Sequence, residues 1–133
     1  MTTKKTEERR DDLWDTGLEL RRKVVGDDYV DRSLANMDDF NDALQDLVTR
    51  YAWGDVWQRP GLAKRDRSLL NLGMLIALGK TEELKLHLKG ALRNGLSKDE
   101  IKEVILQSAI YCGAPAALEA TRTAREAFAE MEA

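Results

Sequence analysis

The sequence predicts an all-helical fold of about six to seven helices, and three observations carry that expectation. No stretch of its 133 residues shows sustained apolar–polar alternation between hairpin signals, the mark of a half-buried strand. Phe40, Ala43, Leu44, Leu47, Val48, Tyr51 and Ala52 recur at the three-and-four spacing of one helix face. Ser97-Lys98-Asp99-Glu100 reads as a capping box, a signature of a helix start.

Each element follows from local chemistry. A first helix is predicted from about Thr6 to Val25, ended by Gly26-Asp27-Asp28, with a short helix over Tyr29 to Ala35. Asp38 or Asp39 caps the helix bearing the Phe40–Ala52 stripe, which should be buried. Trp53 to Ala63, with Gly54, Pro60 and Gly61, reads as a loop. The helix from Lys64 to Leu78 is apolar on nearly every face in its second half. In a small protein such a helix should be a central element whose remaining surface meets another subunit. Gly79 is its C-cap, and Thr81 caps the next helix, which ends at Asn94-Gly95. Leu96 should staple onto Ile101 in the helix that runs to about Cys112. Gly113 stops it, and Pro115 opens a last helix whose alanines (Ala116, Ala117, Ala120, Ala124, Ala127) permit close packing. With no repeat, low-complexity tract or linker, residues 1–133 are expected to form a single domain.

Composition excludes much chemistry. A net charge of −3 is a poor match for a nucleic-acid backbone. One cysteine excludes an internal disulfide and a cysteine zinc cage, and one histidine excludes sites built from several histidines of one chain. The charged segment Met1 to Asp12 has no apolar core of a secretory signal, and the apolar run Leu69–Leu78 is too short to span a bilayer. A cytoplasmic protein without membrane contact is the expectation.

Three groups of residues could carry chemistry. Glu83 and His87 lie four apart on one predicted helix face, flanked by Leu84, Leu88 and Ala91. Burial lowers an imidazole pKa and a carboxylate raises it, so the pair could exchange a proton near neutrality. Spacing alone fits a plain helical ion pair at least as well. Arg59, Lys64, Arg65 and Arg67 stand beside Trp53 and Trp57, a set able to bind a small organic polyanion or, more plainly, to pair with Asp55 and Asp66 in a solvated turn. Cys112, near a helix C-terminus where thiolate is disfavoured, is expected to be a small buried core residue.

Several segments resemble the carboxymuconolactone decarboxylase family. They are Arg67-Ser68-Leu69-Leu70, Ala77-Leu78-Gly79, Glu83-Leu84-Lys85-Leu86-His87, Ala91 to Ser97 with Glu100-Ile101, and Tyr111-Cys112-Gly113-Ala114-Pro115-Ala116. The loop Trp53-Gly54-Asp55-Val56-Trp57-Gln58-Arg59-Pro60-Gly61-Leu62 is similar to the gamma branch of that family. The resemblance implies an alkylhydroperoxidase-D-like helical fold and a homohexameric ring, a trimer of dimers. It also implies decarboxylation of 4-carboxymuconolactone to 3-oxoadipate enol-lactone in protocatechuate (beta-ketoadipate) catabolism. The family's peroxidase branch carries Cys-X-X-Cys-X-X-X-His; here Lys80 and Glu83 stand at the cysteine positions and His87 is retained.

For that reaction the unsaturated lactone can itself take up the electron pair left by carbon dioxide, so no cofactor or metal is expected. His87 would return the proton with Glu83 orienting it. Arg59, Arg65 or Arg67 would hold the retained carboxylate, and Trp53 or Trp57 would wall the ring in a dry pocket. The competing readings are a thiol-dependent peroxidase or reductase using Cys112 with a second thiol from elsewhere, and a non-catalytic binding protein.

Overall fold

The computed structural model describes residues 4–133, with side chains from Asp12 onward. Met1 to Thr3, and the side chains of the charged start up to Asp11, lie outside the described residues. Seven α-helices, one π-helical segment and one 3-10 turn make up the described residues, with no strand among them. The backbone groups into two compact units, one ending at Gly61 and the other beginning at Leu62.

The first unit holds α1 (Lys4–Val25), α2 (Asp27–Ala35), α3 (Asp42–Leu47), a π-helical segment over Val48–Trp53 and a 3-10 turn over Val56–Gln58. Its α1 packs on the π segment. Glycine sits on both sides of that crossing for a steric reason. A Cβ at Gly17 would lie 2.1 Å from the carbonyl oxygen of Thr49, and one at Gly54 would lie 2.2 Å from that of Leu13.

The stripe expected to be buried faces outward instead. Phe40 is 98% exposed, and Leu44, Leu47 and Tyr51 are exposed with it. Two causes act together. Asp38 does not cap the helix directly. Its carboxylate accepts from the amides of Phe40 and Asn41 at 3.0 and 3.2 Å, holding a turn, so that α3 starts only at Asp42. The inward face is claimed by Arg21, which is 4% exposed. Its guanidinium donates to Gln45 Oε1 at 3.0 Å and Thr49 Oγ1 at 3.2 Å, and lies 5.8 Å from the Tyr29 ring centroid. A buried cation must find acceptors, so the polar side of α3 turns in and the apolar side turns out.

The second unit holds α4 (Lys64–Leu78), α5 (Thr81–Arg93), α6 (Lys98–Cys112) and α7 (Ala114–Glu132). Leu72, Ile76, Leu84, Leu88, Ile101 and the alanine face of α7 form its core. Gly79 ends α4 in the left-handed conformation, φ 69°, with the paired 3.2 and 3.1 Å bonds of a Schellman turn. The capping box at Ser97 is complete: Ser97 Oγ accepts from the Glu100 amide and Glu100 Oε1 accepts from the Ser97 amide, both at 3.0 Å. Leu96 and Ile101 are both buried in the core, as the staple requires. Thr81 starts α5 but makes no capping bond; Lys80 occupies the cap position. Cys112 is exposed at the end of α6, a correction to the expected core cysteine. It follows the exposed Ile110 and Tyr111 in the last turn of α6.

Candidate active site

The residues singled out in the sequence fall into two groups. In the second unit, Glu83 and His87 project from α5, one turn apart. Leu84, Leu88 and Ala91 are fully buried around them, so the imidazole is largely desolvated and its Nδ1 is shielded from solvent. Burial lowers the His87 pKa to about 4, and the charge of Glu83 offsets only part of that. The expectation of titration near neutrality is thereby corrected: the resting imidazole is neutral at pH 7. Desolvation outweighs a carboxylate that is itself exposed to water.

This shift has a measurable consequence. The pKa of an unfolded histidine is 6.5, and that of the folded one is depressed to about 4. The folded state therefore resists protonation. His87 contributes full stability above pH 6.5 and loses it as pH falls toward 4. The loss is about 3 kcal/mol across that window. Denaturant titrations between pH 7 and 4 should show wild type losing that amount relative to His87→Gln. Parallel curves would mean that His87 is solvated.

Arg65 and Arg67 stand in the first turns of α4. Arg65 donates to Glu100 Oε2, and it lies 3.5 Å from Asp66. Glu100 thus closes the α6 cap with one oxygen and fastens α4 with the other, and Ser97 and Arg65 together hold its pKa below the usual carboxylate range. Nearby, Asn94 Nδ2 donates to the buried Ser68 Oγ at 2.9 Å. These bonds fix the backbone that carries Arg67, whose Nε is shielded from solvent.

In the first unit, Trp53 ends the π segment and Trp57 sits in the 3-10 turn. Their rings stack with centroids 4.7 Å apart and planes at 27°. Trp53 is 5% exposed, whereas Trp57 is half-buried and Arg59 exposed. The structure therefore brings Trp53 to Trp57 and Glu83 to His87, and it turns Arg65 to Glu100.

Two surface grooves belong wholly to the second unit. One, of about 440 Å³, runs between α4 and α6 and is lined by Leu69, Leu70, Met74, Tyr111 and Cys112 among others. The other, of about 340 Å³, lies by the α4–α5 turn and the start of α7. Neither is lined by His87, Glu83 or the arginines. No described helix is long and apolar enough to cross a membrane. Among the described residues, no three His, Cys, Asp or Glu side chains gather as metal ligands.

Sequence reasoning missed Gln58, Ser68 and Asn94. Each is an ordinary polar residue whose partner lies far along the chain, and no local pattern flags such a pair.

The pattern of the Carboxymuconolactone decarboxylase family matches residues 42–126, which run from α3 into α7. The chain belongs to this family. A 4-carboxymuconolactone decarboxylase of Acinetobacter baylyi is 46% identical over 115 residues, covering 86% of each chain. The nitrosuccinic acid decarboxylase npaB of Metarhizium robertsii is 43% identical over 119 residues, 90% of this chain and 83% of its own length. A 4-carboxymuconolactone decarboxylase of Pseudomonas putida is 48% identical over 42 residues, 32% of this chain. The family match spans the Trp53–Trp57 stack, Arg59, Arg67, Glu83 and His87, and it crosses from one unit into the other.

Proposed function

We propose that the chain is a carboxy-lyase that converts 4-carboxymuconolactone to 3-oxoadipate enol-lactone and carbon dioxide. The observation that carries the reading is the 46% identity, over 86% of both chains, to a 4-carboxymuconolactone decarboxylase. The reaction belongs to protocatechuate catabolism in the cytoplasm, and it takes residues 1–133 as one functional domain.

The chemistry follows from the substrate and these side chains. The bond from the ring carbon beside the lactone oxygen to its carboxylate breaks, and carbon dioxide leaves neutral. The electron pair passes through the ring double bond to the lactone carbonyl oxygen as a conjugated dienolate. A proton then returns to carbon, so one proton is consumed for each carbon dioxide released. No cofactor enters this balance. Arg59, Arg65 or Arg67 holds the retained carboxylate, since a guanidinium fork matches its geometry. Arg65, engaged by Glu100, steadies the α4 turn that presents Arg67. Trp53 and Trp57 wall the ring.

His87 supplies the proton with Glu83 orienting it. A neutral resting imidazole is compatible with this role. The incoming dianion favours the imidazolium, raises the pKa in the complex and draws in the proton that is later delivered.

The enzyme works as a homohexamer, a trimer of dimers. Exposed apolar side chains support assembly: Leu70, Met74, Ile110 and Tyr111 beside the 440 Å³ groove, and Phe40 and Leu44 in the first unit. Large exposed apolar side chains beside a groove normally meet another chain.

The deciding experiment follows carbon dioxide release from 4-carboxymuconolactone, with light scattering on the same preparation to count chains. Nitrosuccinic acid is assayed in parallel, because the 43% identical relative carries that name. Turnover of neither compound ends the proposal, and turnover of nitrosuccinic acid alone transfers it to that substrate. Arg59→Ala should raise KM about 10- to 100-fold, the range of a charge-assisted hydrogen bond, with little change in melting temperature. Unaltered kinetics would return Arg59 to the solvated surface.

A further inference from the structure

Among the devices that hold the loop carrying Trp57 and Arg59 is a single amide. Gln58 Nε2 donates at 3.2 Å to the carbonyl oxygen of Thr16 in α1 and at 3.2 Å to that of Trp53 at the end of the π segment. The last carbonyls of a helix lack partners within it, so the Trp53 oxygen is a natural acceptor. Both hydrogens of one nitrogen are thus used to fasten the 3-10 turn to two helices at once. The Gly17–Gly54 crossing puts the Thr16 and Trp53 backbones close enough for one side chain to reach both.

Trp57 and Arg59 flank Gln58 in sequence, so the anchored residue lies between the two that face the ligand in the function proposed above. We propose that Gln58 is a positioning residue for the substrate-binding loop. Its amide sets the stacked geometry of Trp53 and Trp57, and through the same turn it sets the place of Arg59. The inference rests on the decarboxylase reading for its kinetic part and on geometry alone for the rest.

Gln58→Met keeps the length of the side chain and loses both donations. Gln58→Lys restores a donor that reaches both carbonyls. Two readouts separate the clamp from general stability. Stacked indoles give a paired positive and negative band in circular dichroism, measured without substrate. The kinetic readout is KM against kcat for 4-carboxymuconolactone. Gln58→Met should weaken the indole couplet and raise KM about tenfold, the value of one to two neutral hydrogen bonds, with kcat within about twofold. Gln58→Lys should recover both.

An unchanged couplet in Gln58→Met overturns the proposal, whatever the kinetics. A weakened couplet with unchanged KM also overturns it as a statement about substrate. Trp57→Ala kinetics then tell whether the tryptophan wall itself is at fault. Should wild-type protein not release carbon dioxide, the substrate reading fails separately, and the couplet still decides the clamp.

Discussion

Turnover by His87→Gln is expected to fall about 10²- to 10⁴-fold, the usual worth of a positioned acid or base. KM should change little, because substrate binding falls to the arginines and the tryptophans. The fold should survive, since the resting imidazole is neutral and a neutral amide replaces it in the same half-buried position on α5. The pH profile of kcat provides the sharper check. Bound dianion should lift the imidazolium pKa above its resting value of about 4, so wild-type kcat should decline toward high pH through the lifted value. The variant should be flat over that range. A folded variant with wild-type turnover removes His87 from the chemistry and leaves Glu83 without an orienting role.

The second large effect is structural. Gly54→Ala should destabilise the first unit by more than about 4 kcal/mol, the range reserved for a forced core clash. The added Cβ would stand 2.2 Å from the Leu13 carbonyl oxygen and 2.4 Å from that of Arg50. Gly17→Ala should act alike, meeting the Thr49 carbonyl oxygen at 2.1 Å and the Gly54 nitrogen at 2.8 Å. In both cases the obstacle is backbone, which cannot swing aside as a side chain would. Gly61→Ala is the control, with open space around the new methyl, and should lie within about 0.5 kcal/mol of wild type. Denaturant midpoints of the three variants decide the matter. If Gly54→Ala matches Gly61→Ala, then α1 and the π segment are not in close contact.

The helices after Lys64 were legible in the sequence because their signals are local. A capping box, a left-handed glycine after Leu78 and a proline at the start of α7 need no knowledge of partners, and each stands where the spacing predicts. The segment before Gly61 was harder, for a physical reason. Its apolar stripe points to burial, but a single arginine on α1 needs Gln45 and Thr49, and that distant demand overrides the local pattern. The π winding of Val48–Trp53 has no compositional mark either.

The site divides in the same way. The pairing of Glu83 with His87 follows from helical spacing, whereas the sign of the imidazole shift depends on how deeply its flanking leucines are buried. Arg65 and Arg67 read alike as sequence, and the 35-residue reach from Arg65 to Glu100 carries no local mark.

The π segment also links the aromatic pair to residue count. Such a stretch is an α-helix wound with surplus chain. Each residue gained or lost turns all that follows by ~100° about the axis. Deleting one residue between Val48 and Trp53 would let the segment rewind at ordinary pitch and turn both indoles together relative to α1. A one-codon gap there would misplace the aromatic pair, and the Gly54 that packs on Leu13, without altering the chemistry of either ring.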